Sequence, residues 1–178
     1  MAKLPQAQVL ITATLVVIAS FLALFTEDAS AYKPLKASGS MTASCERAAL
    51  GPGLRDWRRR STSVGRRFGL LGPFRDFGRL NRYRNNLLRA KIPAVVQGHE
   101  PVLLRIPVRQ RRRVALGYSG GRPNGRYAQV EFRPCEHKPR TWWPGGLLLR
   151  DRQPITLTVQ IGGREAVPIR IGGSRRRG

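Results

Sequence analysis

Acidic side chains are scarce in this chain. Ten aspartates and glutamates stand against 33 lysines and arginines, a formal charge of +23 over 178 residues. Apart from the adjacent Glu27-Asp28 the few carboxylates are scattered, so the sequence offers no recognisable acid pair for general acid–base work. Histidine and cysteine are scarcer still, two of each. A zinc site draws four ligands, usually as two spaced pairs. Cys135, Glu136 and His137, with His99 as the other histidine, do not make such a set, and no metal is expected. No serine or cysteine sits in a recognisable nucleophile motif. No glycine-rich phosphate loop precedes a helix; Gly120-Gly121 and Gly162-Gly163 are turn glycines. There is no internal repeat. The chain is therefore not read as an enzyme, and no cofactor is expected.

What the chain has in abundance is arginine. An excess of this size points to an anionic partner: nucleic acid, anionic lipid head groups or an acidic cell-surface polymer. A proteome-wide bias toward arginine would give the same count, since many of the arginines are scattered. Charge bears on partners and solubility, not on fold. The clusters Arg58, Arg59 and Arg60, then Arg66 and Arg67, then Arg111, Arg112 and Arg113 are the candidate anion-binding residues. Trp57 beside the first cluster suits the stacking of a base or sugar. The alternative is a core plug with its arginines on the wet face.

One long apolar run exists, Val9–Phe25, and it carries no charge. Counted from Ala7 it approaches the about 20 residues that span a bilayer as a helix. A retained signal-anchor, with residues 7–25 in the membrane, fits that length best. Cleavage after Ala31 is the alternative, because Ala29-Ser30-Ala31 is a small-x-small site. Both place the rest of the chain outside the cytoplasm. The segment 32–44 reads as a flexible linker.

Downstream the pattern is β. The segment 72–90 reads as a long basic loop with at most a helical turn or two, the stretch best suited to a functional surface loop. A first strand over Ser61–Leu71 is weakened by Gly65. From Ile92 onward apolar residues alternate: Val102, Leu104, Ile106; Val114, Leu116, Tyr118; Ala128, Val130, Phe132; Ile155, Leu157, Val159, Ile161; Val167, Ile169, Ile171. With Ile92–Val96 and Leu147–Leu149 this makes about seven strands at the spacing of an all-β sandwich. The expected fold is an immunoglobulin-like β-sandwich over 45–172, followed by a basic tail at 173–178. Trp142, Trp143, Gly145 and Gly146 read as a structural corner, with one tryptophan packed on the core. An exposed aromatic platform for glycan is the other reading. Cys45 and Cys135 are a candidate disulfide, with two free thiols as the alternative. A bridge belongs to an oxidising compartment.

Cys45-Glu46-Arg47, Asp56–Ser61, Lys91–Val96, Val114–Tyr118, Val130–Cys135 and Trp142–Leu149 together resemble a group of uncharacterised exported proteins of high-GC Gram-positive (actinobacterial) genomes. The resemblance covers Cys45 to Gly172 and rests on a pattern, with no single diagnostic motif. It implies a membrane-anchored extracellular domain and carries over no catalytic residue. Some of those proteins have a further cysteine where Gln153 stands here, which leaves Cys45 as the one intrachain partner for Cys135. The expected role is binding or structural, at the cell envelope. A basic nucleic-acid-binding protein is the alternative; it shares the charge but leaves Val9–Phe25 unexplained.

Overall fold

The computed structural model describes residues 35–49, 56–72, 80–82, 86–119, 121 and 125–173. The expected span at 7–25, the cleavage site at Ala31 and residues 174–178 of the tail lie outside them. Among the described residues no helix is long and apolar enough to cross a membrane.

The described chain is all-β. Its strands are β1 (Ser40–Ala43), β2 (Ser61–Val64), β3 (Phe68–Leu71), β4 (Asn81–Arg82), β5 (Leu88–Lys91), β6 (Ala94–Gln97) and β7 (Val102–Arg105). They continue as β8 (Val114–Tyr118), β9 (Gln129–Phe132), β10 (Arg140–Trp143), β11 (Gly145–Leu149), β12 (Ile155–Ile161) and β13 (Val167–Ile171). Sheet I has the order β1-β9-β7-β12-β13, sheet II β10-β6-β3-β2, and sheet III β4-β5-β11-β8. Only β1 against β9 is parallel among these pairings; the other ladders are antiparallel.

Alternation explains sheet I. In β12 every second residue is buried, and the partner strands present Val102, Leu104, Val130, Phe132, Ile169 and Ile171 to the same core. A strand's side chains alternate between its two faces, so one face of the sheet is apolar. Sheets II and III supply the other walls of that single core, from Phe68, Leu70, Val96 and Trp143 and from Leu116, Tyr118 and Leu149.

Sheets II and III share two runs of chain. The run β5–β6 is interrupted at Ile92-Pro93 and the run β10–β11 at Pro144. The two runs pair antiparallel on both sides of the break, with Trp143 opposite Ala94 and Gly146 opposite Lys91. Proline has no N–H for a ladder, so both runs leave regular pairing where their prolines stand. The Ile92 N–H bridges the break to the Gly145 carbonyl at 2.9 Å. At this corner a Cβ on Gly146 would overlap the Ala90 carbonyl oxygen, and one on Gly145 would strike the Tyr118 ring. Tyr118 is buried, and its hydroxyl donates to the Ile92 carbonyl at 3.0 Å. Burial pushes its phenol well above the ordinary value, so it stays neutral.

The sheets depart from the sequence reading in four places. Ser61–Leu71 is a hairpin of two strands, not one, because Gly65 adopts φ 56° in the turn between them. Within 72–90, expected as a loop, the described part holds β4 and β5 with Leu87 buried. Residues 73–79 and 83–85 lie outside the described set. The expected linker 32–44 contains β1, and its Leu35, Ala37, Met41 and Ala43 are buried. The strand count exceeds seven because short strands such as Arg140–Trp143 carry no readable alternation of polarity.

Cys45 and Cys135 form a disulfide with Cα atoms 4.9 Å apart, closing a separation of 90 residues. It fastens the segment after β1 to the segment after β9. In the chain-entropy model a loop of that length stabilises by about 4–5 kcal/mol. Reduction should therefore lower the unfolding free energy by about that figure and raise the urea m-value, because the unbridged unfolded chain exposes more surface, measured by tryptophan fluorescence with and without reductant. Gly146→Ala should cost about 3 kcal/mol, because backbone rather than a movable side chain occupies the space. The same denaturation series reads it.

Candidate functional site

The eight candidate arginines do not form one patch. The β7–β12 ladder pairs Val102 with Ile161 at one end and Arg105 with Thr158 toward the other. Arg66 and Arg67, reached by the Arg58 side chain, lie at the Val102 end, and Arg111–Arg113 lie beyond Arg105; Arg59 and Arg60 precede β2 at the end of its hairpin away from the Arg66–Arg67 turn.

At the Val102 end, Arg66 and Arg67 occupy the turn between β2 and β3. Arg67 is ion-paired with Glu100, and Glu100 also accepts from Arg164 at 3.2 Å. The bond from Arg67, with Arg164 beside it, holds the Glu100 carboxyl below the usual carboxylate range. Arg58 donates to Gln97 Oε1 at 2.8 Å, and its guanidinium lies 5.5 Å from the Trp57 ring centre. So Arg58 and Arg67 are engaged inside the molecule, while Arg59, Arg60 and Arg66 are exposed. A cavity of about 250 Å³ opens beside this turn, floored by Val64, Val159, Ile161 and Val167 and rimmed by Arg66, Arg67, Arg164 and Glu165.

At the Arg105 end, the chain leaves β7 through Ile106 and Pro107, makes a 3-10 turn at Val108–Gln110, and then the turn Arg111–Arg113. Five bonds brace this loop. Gln110 is buried, and its Oε1 accepts the Thr156 N–H at 3.0 Å. The Arg111 carbonyl accepts the Ala37 N–H at 2.8 Å, and the Arg113 carbonyl accepts the Arg150 N–H at 2.9 Å. Arg113 clamps Asp151 with two bonds, 3.1 and 2.7 Å. That bidentate bond lowers the Asp151 carboxyl and raises Arg113, and Arg150 adds to the lowering.

The Arg113–Asp151 clamp and the Arg150–Arg113 backbone bond thus join the Arg109–Arg113 loop, which carries four arginines, to the bend that carries Arg150 and Arg152, while Arg111 Nε donates to the Ile106 carbonyl at 3.4 Å. Arg109, Arg112, Arg150 and Arg152 are exposed, and Lys36 flanks the Ala37 contact. The sequence reading found three of these residues. It read Arg109–Arg113 as a basic turn but left Arg109 out of the candidate set, and it missed Arg150 and Arg152 because they stand about forty residues further along the chain. The available signal was Arg150-Asp151-Arg152 in the gap before β12, which gains meaning only when folded against the turn.

The aromatic candidates lie elsewhere. Trp143 is buried, and its indole N–H donates to the Ser44 carbonyl at 2.9 Å. Trp142 is half-buried and packs with Trp57, Leu71 and Val95 on the outer face of sheet II. Trp57 is itself buried and lies over Gly69, where any Cβ would collide with its ring. Neither Trp57 nor Trp143 presents a free face for a base or sugar. Cys135 is committed to the disulfide, and among the described residues no three His, Cys, Asp or Glu side chains group as metal ligands.

No protein-family model matches the chain, and no curated protein or solved structure matches it.

The Asp151 clamp yields a pH dependence. Folding depresses the Asp151 pKa, so its contribution is fully present above the unfolded carboxylate range and is lost as pH falls through the folded value. Both partners are partly exposed, so Asp151→Asn should cost only about 0.5–1 kcal/mol near neutrality. The difference between Asp151→Asn and the parent should vanish in acid. Thermal melts across a pH series check this.

Proposed function

We propose that this chain is an extracytoplasmic, membrane-anchored all-β protein that binds an anionic component of the cell envelope through its basic end. The observation that carries the reading is the ordered Arg109–Arg113 loop with Arg150 and Arg152 beside it, six arginines against one carboxylate. Charges fixed on a braced loop focus potential more effectively than the same charges spread over flexible chain. The Cys45–Cys135 bond supports an oxidising compartment. The apolar run at 7–25 supplies the anchor, with release after Ala31 as the secreted variant.

The finer architecture belongs to the same proposal. Sheet I on one side and the continuous layer of sheets II and III on the other read as an immunoglobulin-like sandwich. The single core and the buried Trp143 beside the disulfide segment support it. Membership in the exported actinobacterial group that the sequence resembles fits this reading.

The competing reading, nucleic-acid binding, shares the charge. Two of the three tryptophans are buried, which removes stacking platforms that single-strand binders use. A reporter fused after Gly178 that is active only outside the cytoplasm supports the proposal, and activity only inside overturns it. Mass spectrometry of the native protein distinguishes anchor from cleaved signal by whether residues 1–31 remain. In a chain beginning at Tyr32, without the anchor, replacing Arg111 and Arg112 by Gln spares the Asp151 clamp and should weaken envelope binding about tenfold or more at low salt. Unchanged binding would count against the basic end.

A further inference from the structure

We infer that the Arg105 end of the domain is a lipid-docking face, which lies on the anionic head groups of the bilayer that anchors the chain. The inference rests on the membrane-anchored reading above and names the partner of the basic end.

Three observations converge on it. The first is where the chain joins the domain. Leu35 is buried, and the next residue but one, Ala37, donates its N–H to the Arg111 carbonyl. The chain therefore enters the fold against the basic loop itself. Nine residues separate Phe25 from Leu35. Fully extended, they reach about 30 Å. Whatever the path of that tether, it attaches at the cationic end and not at the Arg66–Glu100 end.

The second is the charge. Arg113 is neutralised by Asp151, but Arg109, Arg112 and Lys36 are exposed around it, with Arg150 and Arg152 on the adjoining bend. Basic residues within a Debye length of an anionic membrane, about 8–10 Å, each add to its attraction. At the opposite end two carboxylates offset more of the charge: Glu100 takes up Arg67 and Arg164, and Glu165 stands on the same rim beside exposed Arg66.

The third selects a lipid surface over a dissolved polymer. Val108 heads the 3-10 turn of this loop and is 75% exposed. A single exposed valine is ordinary by itself. Here it stands between Pro107 and Arg109, on a turn held by buried Gln110. An exposed aliphatic side chain on a basic loop matches the boundary between head groups and acyl chains. A hydrated polyanion offers that valine nothing.

The test uses the full-length chain reconstituted into vesicles of phosphatidylcholine with or without phosphatidylglycerol. Limited trypsin cleavage is followed by mass spectrometry at Arg109 and Arg112, with Arg66 at the far end as internal reference. Phosphatidylglycerol should slow cleavage at Arg109 and Arg112 and leave Arg66 unchanged. Removing one contacting arginine, as in Arg112→Gln, should reduce the protection at Arg109 about fivefold at low salt. Val108→Ser should also reduce it, with cleavage at Arg66 unaltered. Equal cleavage at both ends in anionic vesicles overturns the inference. So does protection by soluble polyphosphate in phosphatidylcholine vesicles that matches the phosphatidylglycerol effect, which would assign the face to a dissolved polyanion. Either result leaves the reporter and mass-spectrometry outcomes standing. A cytoplasmic reporter instead removes the anchored reading itself, whatever the vesicles show.

Discussion

Phe132 is in ring contact with all the walls of the core. It belongs to β9 of sheet I. Its ring lies 5.9 Å from Phe68 of sheet II, 5.1 Å from Trp143 of sheet II and 4.9 Å from Tyr118 of sheet III, the last edge-to-face. Tilted and T-shaped pairs at these distances contribute beyond the area they bury. Two of the contacting rings are in turn fixed by hydrogen bonds. Trp143 donates to the backbone beside Cys45, and Tyr118 donates to the backbone at the Ile92-Pro93 break. The aromatic cluster therefore ties the disulfide, the corner and the three sheets together. Its position three residues before Cys135 explains why the bond and the rings act on the same segment.

The surface follows from that frame. Once sheet I is fixed, the two ends of the β7–β12 ladder are fixed, and with them two kinds of arginine. At one end Arg58 and Arg67 are engaged by Gln97, Glu100 and the Trp57 ring while Arg66 is exposed. At the other the arginines stand on a loop braced by Gln110 and Asp151. Eight arginines that look equivalent in the chain thus divide into structural and exposed ones. Arg58, Arg67 and Arg113 hold pieces of the fold together and Arg111 donates to the Ile106 carbonyl; Arg59, Arg60, Arg66 and Arg112 are exposed.

Much of the core was legible. The alternation in Val102–Ile106, Ala128–Phe132 and Ile155–Ile161 places the buried residues correctly, because a period of two is a direct imprint of a one-sided sheet. Other parts were not. Ser40–Ala43 looks like spacer, since Met41 and Ala43 become core only through parallel pairing with a strand about ninety residues away. Leu88–Lys91 hides among arginines because its outward positions are charged. Arg150 and Arg152 show no cluster in the chain, and they are brought to the Arg111–Arg113 turn by the Arg150–Arg113 backbone bond and the Arg113–Asp151 clamp.

The sequence by itself determined the all-β class, the charge and the one apolar run, since each depends on composition or on neighbours a few residues apart. Tertiary structure alone decided which cysteine and tryptophan neighbours were structural. It also decided which arginines remain available and that the chain enters the domain at its basic end. Those properties depend on contacts between residues forty to ninety positions apart, as between Cys45 and Cys135 or Arg113 and Asp151. No local pattern records such contacts, because the energy that selects them comes from closing one shared core.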